Sequence, residues 1–373
     1  MAAKLLVATR KGLFIWEQDC GKWEIKQTAF LGDHVSFVLG DKRDGWLYAA
    51  LNHGHFGVKL HRSADGGAHW EECAVPQYPT KPPEAEAEIM EMSGKPFPWD
   101  LKMIWSLAAG GANQPGKLWC GTVPGGLFVS EDRGSSWELV RSLWDRPERP
   151  KWFGGGLDYP GIHSLCLHPQ NPDHLTLAIS CGGVWTTTDG GKSFEVIGGG
   201  IHSDYAPPEH RYNPNIQDVH LMVQCPAQPE VLWAQHHNGI FRSTDGGRNF
   251  TFIDTAQPSW FGFAVAVHPT DPDTAWFLPA IKDERRIPVD GRVVVSRTQD
   301  GGRTFEVLLE GLPQHHAYDL FFRHSLSVDS TGTHLLIGST TGSLWHSPTS
   351  GTTWTPLSQH LPPIYSLQYF EHP

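Results

Sequence analysis

The chain has 373 residues, 39% of them hydrophobic and 18% charged, with a formal charge of −11. Its 16 tryptophans and 18 phenylalanines exclude a disordered chain, and beside them 40 glycines and 29 prolines suit short strands joined by tight turns. Only 29 basic residues stand against 40 acidic ones, which excludes the clustered positive charge that nucleic acid or an anionic membrane surface demands.

The first segment, MAAKLLVATRKGLFIW, carries a four-residue apolar run followed by Arg10 and Lys11. That is shorter than the core of a signal peptide, and no stretch approaches the roughly 18 apolar residues of a membrane span. The expectation is a cytoplasmic protein with no membrane partner. KLLVAT and GLFIW read as strands, and EQDCGKW, ending at Trp23, reads as the tight turn that follows them.

From there a repeat organises the chain. SADGGAHW (63–70), SEDRGSSW (130–137), TTDGGKSF (187–194), STDGGRNF (243–250), TQDGGRTF (298–305) and SPTSGTTW (347–354) align without gaps. Each reads Ser/Thr-x-Asp-x-Gly-x-x-aromatic, with Thr349 in place of Asp in the last. With the degenerate copy at Trp23, the aromatic ends recur every 47 to 67 residues, about one four-stranded sheet apart. The Asp accepts amide hydrogens of a turn, and the Gly supplies a positive φ. A strand-like run such as GLFVS or GIFRS precedes each copy, which places the motif between the third and fourth strands of a sheet.

A second set, including IWSLAAGGANQPGKLWCGT, IHSLCLHPQNPDHLTLAIS and VHLMVQCPAQPEVLWAQ, reads strand, turn, strand and supplies first and second strands. The C-terminal IYSLQYF is a first strand with no second. The N-terminal strands are a second and third with no first. Pairing 364–370 with 4–9 closes the ring and removes two exposed edges. The expected fold is all-β, a seven-bladed β-propeller of four-stranded blades that occupies 1–373 as a single domain.

The copies resemble the Asp-box (BNR) repeat of sialidase-like and sortilin-like propellers and of photosystem II assembly-factor-like propellers. The resemblance implies a propeller and leaves the activity open, because this fold hosts unrelated functions. Arg286-Ile287-Pro288 is similar to the Arg-Ile-Pro of sialidases, but it falls in a late loop instead of ahead of the first box. Sialidase activity itself is not expected.

The long loops, 71–104, 138–162, 195–219, 279–290 and 306–319, all fall on the face opposite the boxes, where binding residues concentrate. Within them PPEAEAEIMEM (82–92) has the composition of a helix start. Gly154-Gly155-Gly156 and Gly198-Gly199-Gly200 permit close backbone approach. The six cysteines lack metal or redox spacing. Histidine is abundant, at 21. His163, His220 and His324 share one aligned position near the start of a first strand, where Trp105, Phe263 and Tyr365 stand in other blades and His34 lies within one residue. That position faces the channel. The three imidazoles are therefore expected either to be the ligands of one divalent transition metal, Zn, Fe, Mn or Cu, or to serve as hydrogen-bonded or catalytic groups. Asp204, Tyr205, Arg211, His236 and His237 are the expected catalytic groups around them, and no nucleotide-binding motif appears. The expected function is a hydrolase or lyase acting on a small-molecule, saccharide-like ligand at the channel mouth. The alternative is a non-catalytic propeller that binds a protein or ligand.

Overall fold

The computed structural model describes residues 3–81, 88–91 and 93–371. Its strands form seven four-stranded antiparallel sheets. The first strands of the sheets, including Val35–Gly40, Met103–Ala109, Ile162–Leu167, Val219–Gln224, Gly262–Val267 and Leu326–Val328, touch one another in a closed cycle. The seventh member of that cycle is Ile364–Glu371, which pairs with Ala3–Thr9 in the register Lys4↔Phe370 through Ala8↔Ser366. Both ends of the chain thus share one sheet, as the unpaired strand patterns require.

Alternation explains why these strands read as continuous apolar runs. Leu5 and Val7 pack towards the last sheet, while Leu6 and Ala8 pack towards the next one. Both faces of each sheet are buried, and one apolar cluster fills each of the seven sheet interfaces. The repeated motif closes each outer hairpin. In the fourth full copy Asn249 N donates to Asp245 Oδ1 at 2.9 Å, and Gly247 N donates to Ser243 Oγ at 2.9 Å. Thr349 does the same work in the degenerate last copy, accepting from Thr353 N at 2.9 Å. The aromatic then enters an interface, as Phe194, Phe250 and Trp354 do.

Most of PPEAEAEIMEM, at 82–87 and 92, lies outside the described residues. The part at 88–91 is extended, with Ile89 bridged to Pro96 and Glu88 paired with the buried Arg149 at 2.6 Å. No described helix is long and apolar enough to cross a membrane.

Candidate functional site

Six first strands contain a bulge near their start. The extra residue is Ser36, Trp105, His163, His220 or Tyr365, with Phe263 and Ala264 sharing the place in a sixth. Bulges re-aim side chains and often flank functional sites. His34 stands two residues before its bulge, so Ser36 takes the aligned position in that blade.

The bulge does not gather His163, His220 and His324 around one point. His324 donates Nε2–H across the channel to the backbone carbonyl of His163 at 2.8 Å. His163 bonds Ser164 Oγ through Nδ1 at 2.9 Å and lies edge-on to Trp105, while its buried Nε2 has no partner. Burial holds His163 well below the usual imidazole range and takes His324 down to about 4, so both are neutral at pH 7.

His220 belongs to a different set. Among the described residues, Asp218, His220 and His237 form the group whose ligand atoms all lie within 4.8 Å of one another. Both imidazoles address a single oxygen, Asp218 Oδ2, His220 Nε2 at 3.5 Å and His237 Nδ1 at 3.4 Å. The tautomer of His220 is fixed from outside. Its Nδ1 stands 2.6 Å from the carbonyl of Gly262, which can only accept, so Nδ1 carries the hydrogen. Burial also lowers the pKa of His220, leaving it neutral with the Nε2 lone pair turned towards a carboxylate. Two lone pairs facing each other need a cation or a proton between them. Carboxylate oxygen plus two imidazole nitrogens is a donor set that can hold a divalent transition metal.

Burial pushes the carboxyl of Asp218 up, but the imidazoles of His220 and His237 and the charge of Arg323 outweigh it, and the group stays ionised. Burial likewise disfavours the His237 imidazolium. The Asp218 hydrogen bond and charge overcome that effect and raise the His237 pKa above its ordinary value. Gly155 backs the cluster. A Cβ there would stand 2.6 Å from Asp218 Oδ1 and 2.8 Å from Cys181 Sγ, so only glycine fits. The other triple glycine packs instead against the next blade, with Gly199 N bonded to the carbonyl of Arg248 at 2.8 Å.

The remaining expected residues divide. Tyr205 belongs to the neighbourhood, its ring 5.2 Å from His237 and its hydroxyl donating to the carbonyl of Ile216 at 2.7 Å. Asp204 and Arg211 pair with each other at 2.7 Å on the surface. His236 is fully buried against Phe241, with Nδ1 accepting from Asn238 N at 3.0 Å.

Beside the cluster the channel mouth widens into a cavity of about 320 Å³, lined by Trp105, Phe263, Phe322 and Tyr365 and by the polar side chains of His34, Arg286 and Arg323. A volume of that order suits a small-molecule ligand. Gly156 and Leu157 form part of its rim. Arg323 had no signal of its own in the sequence beyond its place next to His324. Asp218 was legible only as one loop acid among several.

No protein-family model matches the chain. A probable oligoxyloglucan-reducing end-specific xyloglucanase of Neosartorya fischeri is 27% identical over 268 residues, which are 68% of this chain and 27% of that protein. The chain thus spans about a quarter of the length of that relative. Among solved structures, an ancestral GH74 enzyme superposes with a TM-score of 0.60 at 15% identity, covering 86% of this chain and 38% of that one. YCF48 bound to D1 peptide superposes with a TM-score of 0.51 at 14% identity, covering 86% and 81%. These likenesses show a shared propeller fold.

Proposed function

We propose that the chain is a hydrolase or lyase acting on a small polar, saccharide-like ligand at the channel mouth, with Asp218, His220 and His237 as its reactive group. One observation carries the reading: two imidazole nitrogens converge on a single buried carboxylate oxygen beside a ligand-sized cavity. His237, half-buried and with its pKa raised by Asp218, is a group that can serve as general acid or general base. With a divalent transition metal in the same place, the three side chains are its ligands, and the Nδ1–H of His220 anchored on Gly262 fixes the ring for it. The metal then supplies Lewis acidity. The distant likeness to a xyloglucanase supports a saccharide as ligand.

The test combines metal analysis of protein purified without a histidine tag with turnover on a panel of nitrophenyl glycosides and glycosiduronates. Asp218→Asn and His237→Ala are each expected to lower turnover on the order of 10²–10⁴-fold. Full activity in both folded variants overturns the assignment. Bound metal that persists in Asp218→Asn at wild-type stoichiometry overturns the ligand set.

A further inference from the structure

Arg323 stands where the first strand of the last blade should begin. The backbone there turns instead, with Ser325 N and Oγ both donating to the carbonyl of Phe322 at 3.1 and 2.7 Å. The turn delays the strand to Leu326 and leaves Arg323 and His324 lining the cavity. The guanidinium lies over the rings of Trp105 and Phe263, 4.9 and 5.4 Å from their centroids.

Asp218 and Asp283 act on Arg323 only as charges at a distance. Among the described residues Arg323 donates no hydrogen bond and joins no ion pair, and its Nε is sealed from solvent without a partner. The neighbouring charges are already committed. Asp283 pairs with Arg286, and Asp218 Oδ2 faces His220 and His237 while its Oδ1 receives Ser180 Oγ at 3.4 Å. Arg323 is half-buried, but a guanidinium nitrogen sealed from water without an acceptor costs folding free energy, and aromatic faces satisfy the charge but none of the N–H directions. An acidic protein thus keeps a cation without a hydrogen-bond acceptor in an aromatic-lined mouth, with a second arginine, Arg286, 5.3 Å from the same Phe263 ring.

We infer that Arg323, seconded by Arg286, receives an oxyanion of the ligand, a carboxylate or phosphate carried on a sugar-sized body that packs against Trp105 and Tyr365. This rests on the reading of the mouth as a saccharide site and narrows its substrate class to acidic sugars. A planar guanidinium with free N–H edges suits the bidentate geometry of such groups.

Calorimetric titration of the full chain with glucuronate, glucose 6-phosphate and glucose tests it. At least one acidic sugar should bind tenfold or more tightly than glucose, and which one does so tells carboxylate from phosphate. Arg323→Met should erase that preference without lowering the melting temperature, because it removes N–H groups that have no protein acceptor and keeps an apolar side chain against the rings. Where Met does not fold, Arg323→Lys replaces it: it keeps the charge and loses the fork, so the preference should shrink and not vanish. Equal binding of all three sugars, binding of neither acid, or an undiminished preference in the folded variants overturns the proposal. Acid binding without any turnover overturns the hydrolase or lyase reading and leaves this one standing. Turnover of neutral glycosides with no preference for acids does the reverse.

Discussion

Asp218 is ionised in a place where burial alone would protonate it, and its neighbours show the cost of that arrangement. Asp218 raises the pKa of His237 against the effect of burial, so that shift depends on the carboxylate. We expect the His237 ring to titrate above the ordinary imidazole value of about 6.5 in an NMR pH series. In Asp218→Asn it should fall below that value, because burial then acts unopposed. By linkage, the His237–Asp218 pair stabilises the fold fully below about pH 6.5 and loses that contribution as pH rises through the folded-state pKa. The neutral histidines act in the opposite direction. His34, His324 and His346 are each lowered to about 4, chiefly by burial. Their stability contribution is present above about pH 6.5 and drains away as pH falls towards 4. The melting temperature should therefore drop over that interval, with these three sites together taking up to three protons on unfolding. A melting temperature flat between pH 6.5 and 4 would show that these rings are not held neutral.

The hairpin motif is local, and this is why the sequence displayed it so clearly. Everything it needs lies within eight residues, from Ser243 Oγ to the aromatic Phe250. In the third full copy Gly191 has φ +89, and a Cβ there would crowd Trp119 of the neighbouring blade at 3.2 Å, so the turn and the interface impose the same residue. Asp245→Ala should cost about 1 kcal/mol, the ordinary net worth of a hydrogen bond, read as a lower urea midpoint with ligand binding unchanged. Lost binding at unchanged stability would mean that the motif touches the ligand. The bulge position was equally legible as an aligned column, but its consequence was not. Whether a bulged histidine meets its fellows depends on carbonyls and carboxylates brought by other blades: Gly262 for His220, and the backbone of His163 for His324. Such partners lie 42 and 161 residues away, beyond the reach of pattern. Arg323 was missed for a related reason, since the backbone turn that brings it to the mouth has no signature in residue type.

Across the whole ring, stability is shared among seven similar interfaces, and none is sacrificed at the join. Phe370 on the last strand fills the space beside Gly40, where a Cβ would stand 2.4 Å from its ring. Removing residues 364–371 should strip the first blade of its inner strand, expose the edge of Ala3–Thr9, and lower the melting temperature sharply. A truncated chain that melts like the parent would mean that closure lies elsewhere. The same ring holds two cavities, about 320 Å³ at the mouth and about 620 Å³ at the far end of the first strands, beside the exposed Lys42, Pro226 and Ser330, and His324 is the one residue common to both linings. Its bond to the His163 carbonyl runs across the passage between them. With that bond in place the axis is expected to work as two separate pockets and not as a conduit. Whatever enters over Gly156 and Leu157 must leave by the same doorway, so arrival and departure share one bottleneck. Narrowing that doorway with Leu157→Trp should slow both by the same factor and leave the dissociation constant where it was. NMR exchange rates would show this, and a change confined to departure would mean that a second exit exists.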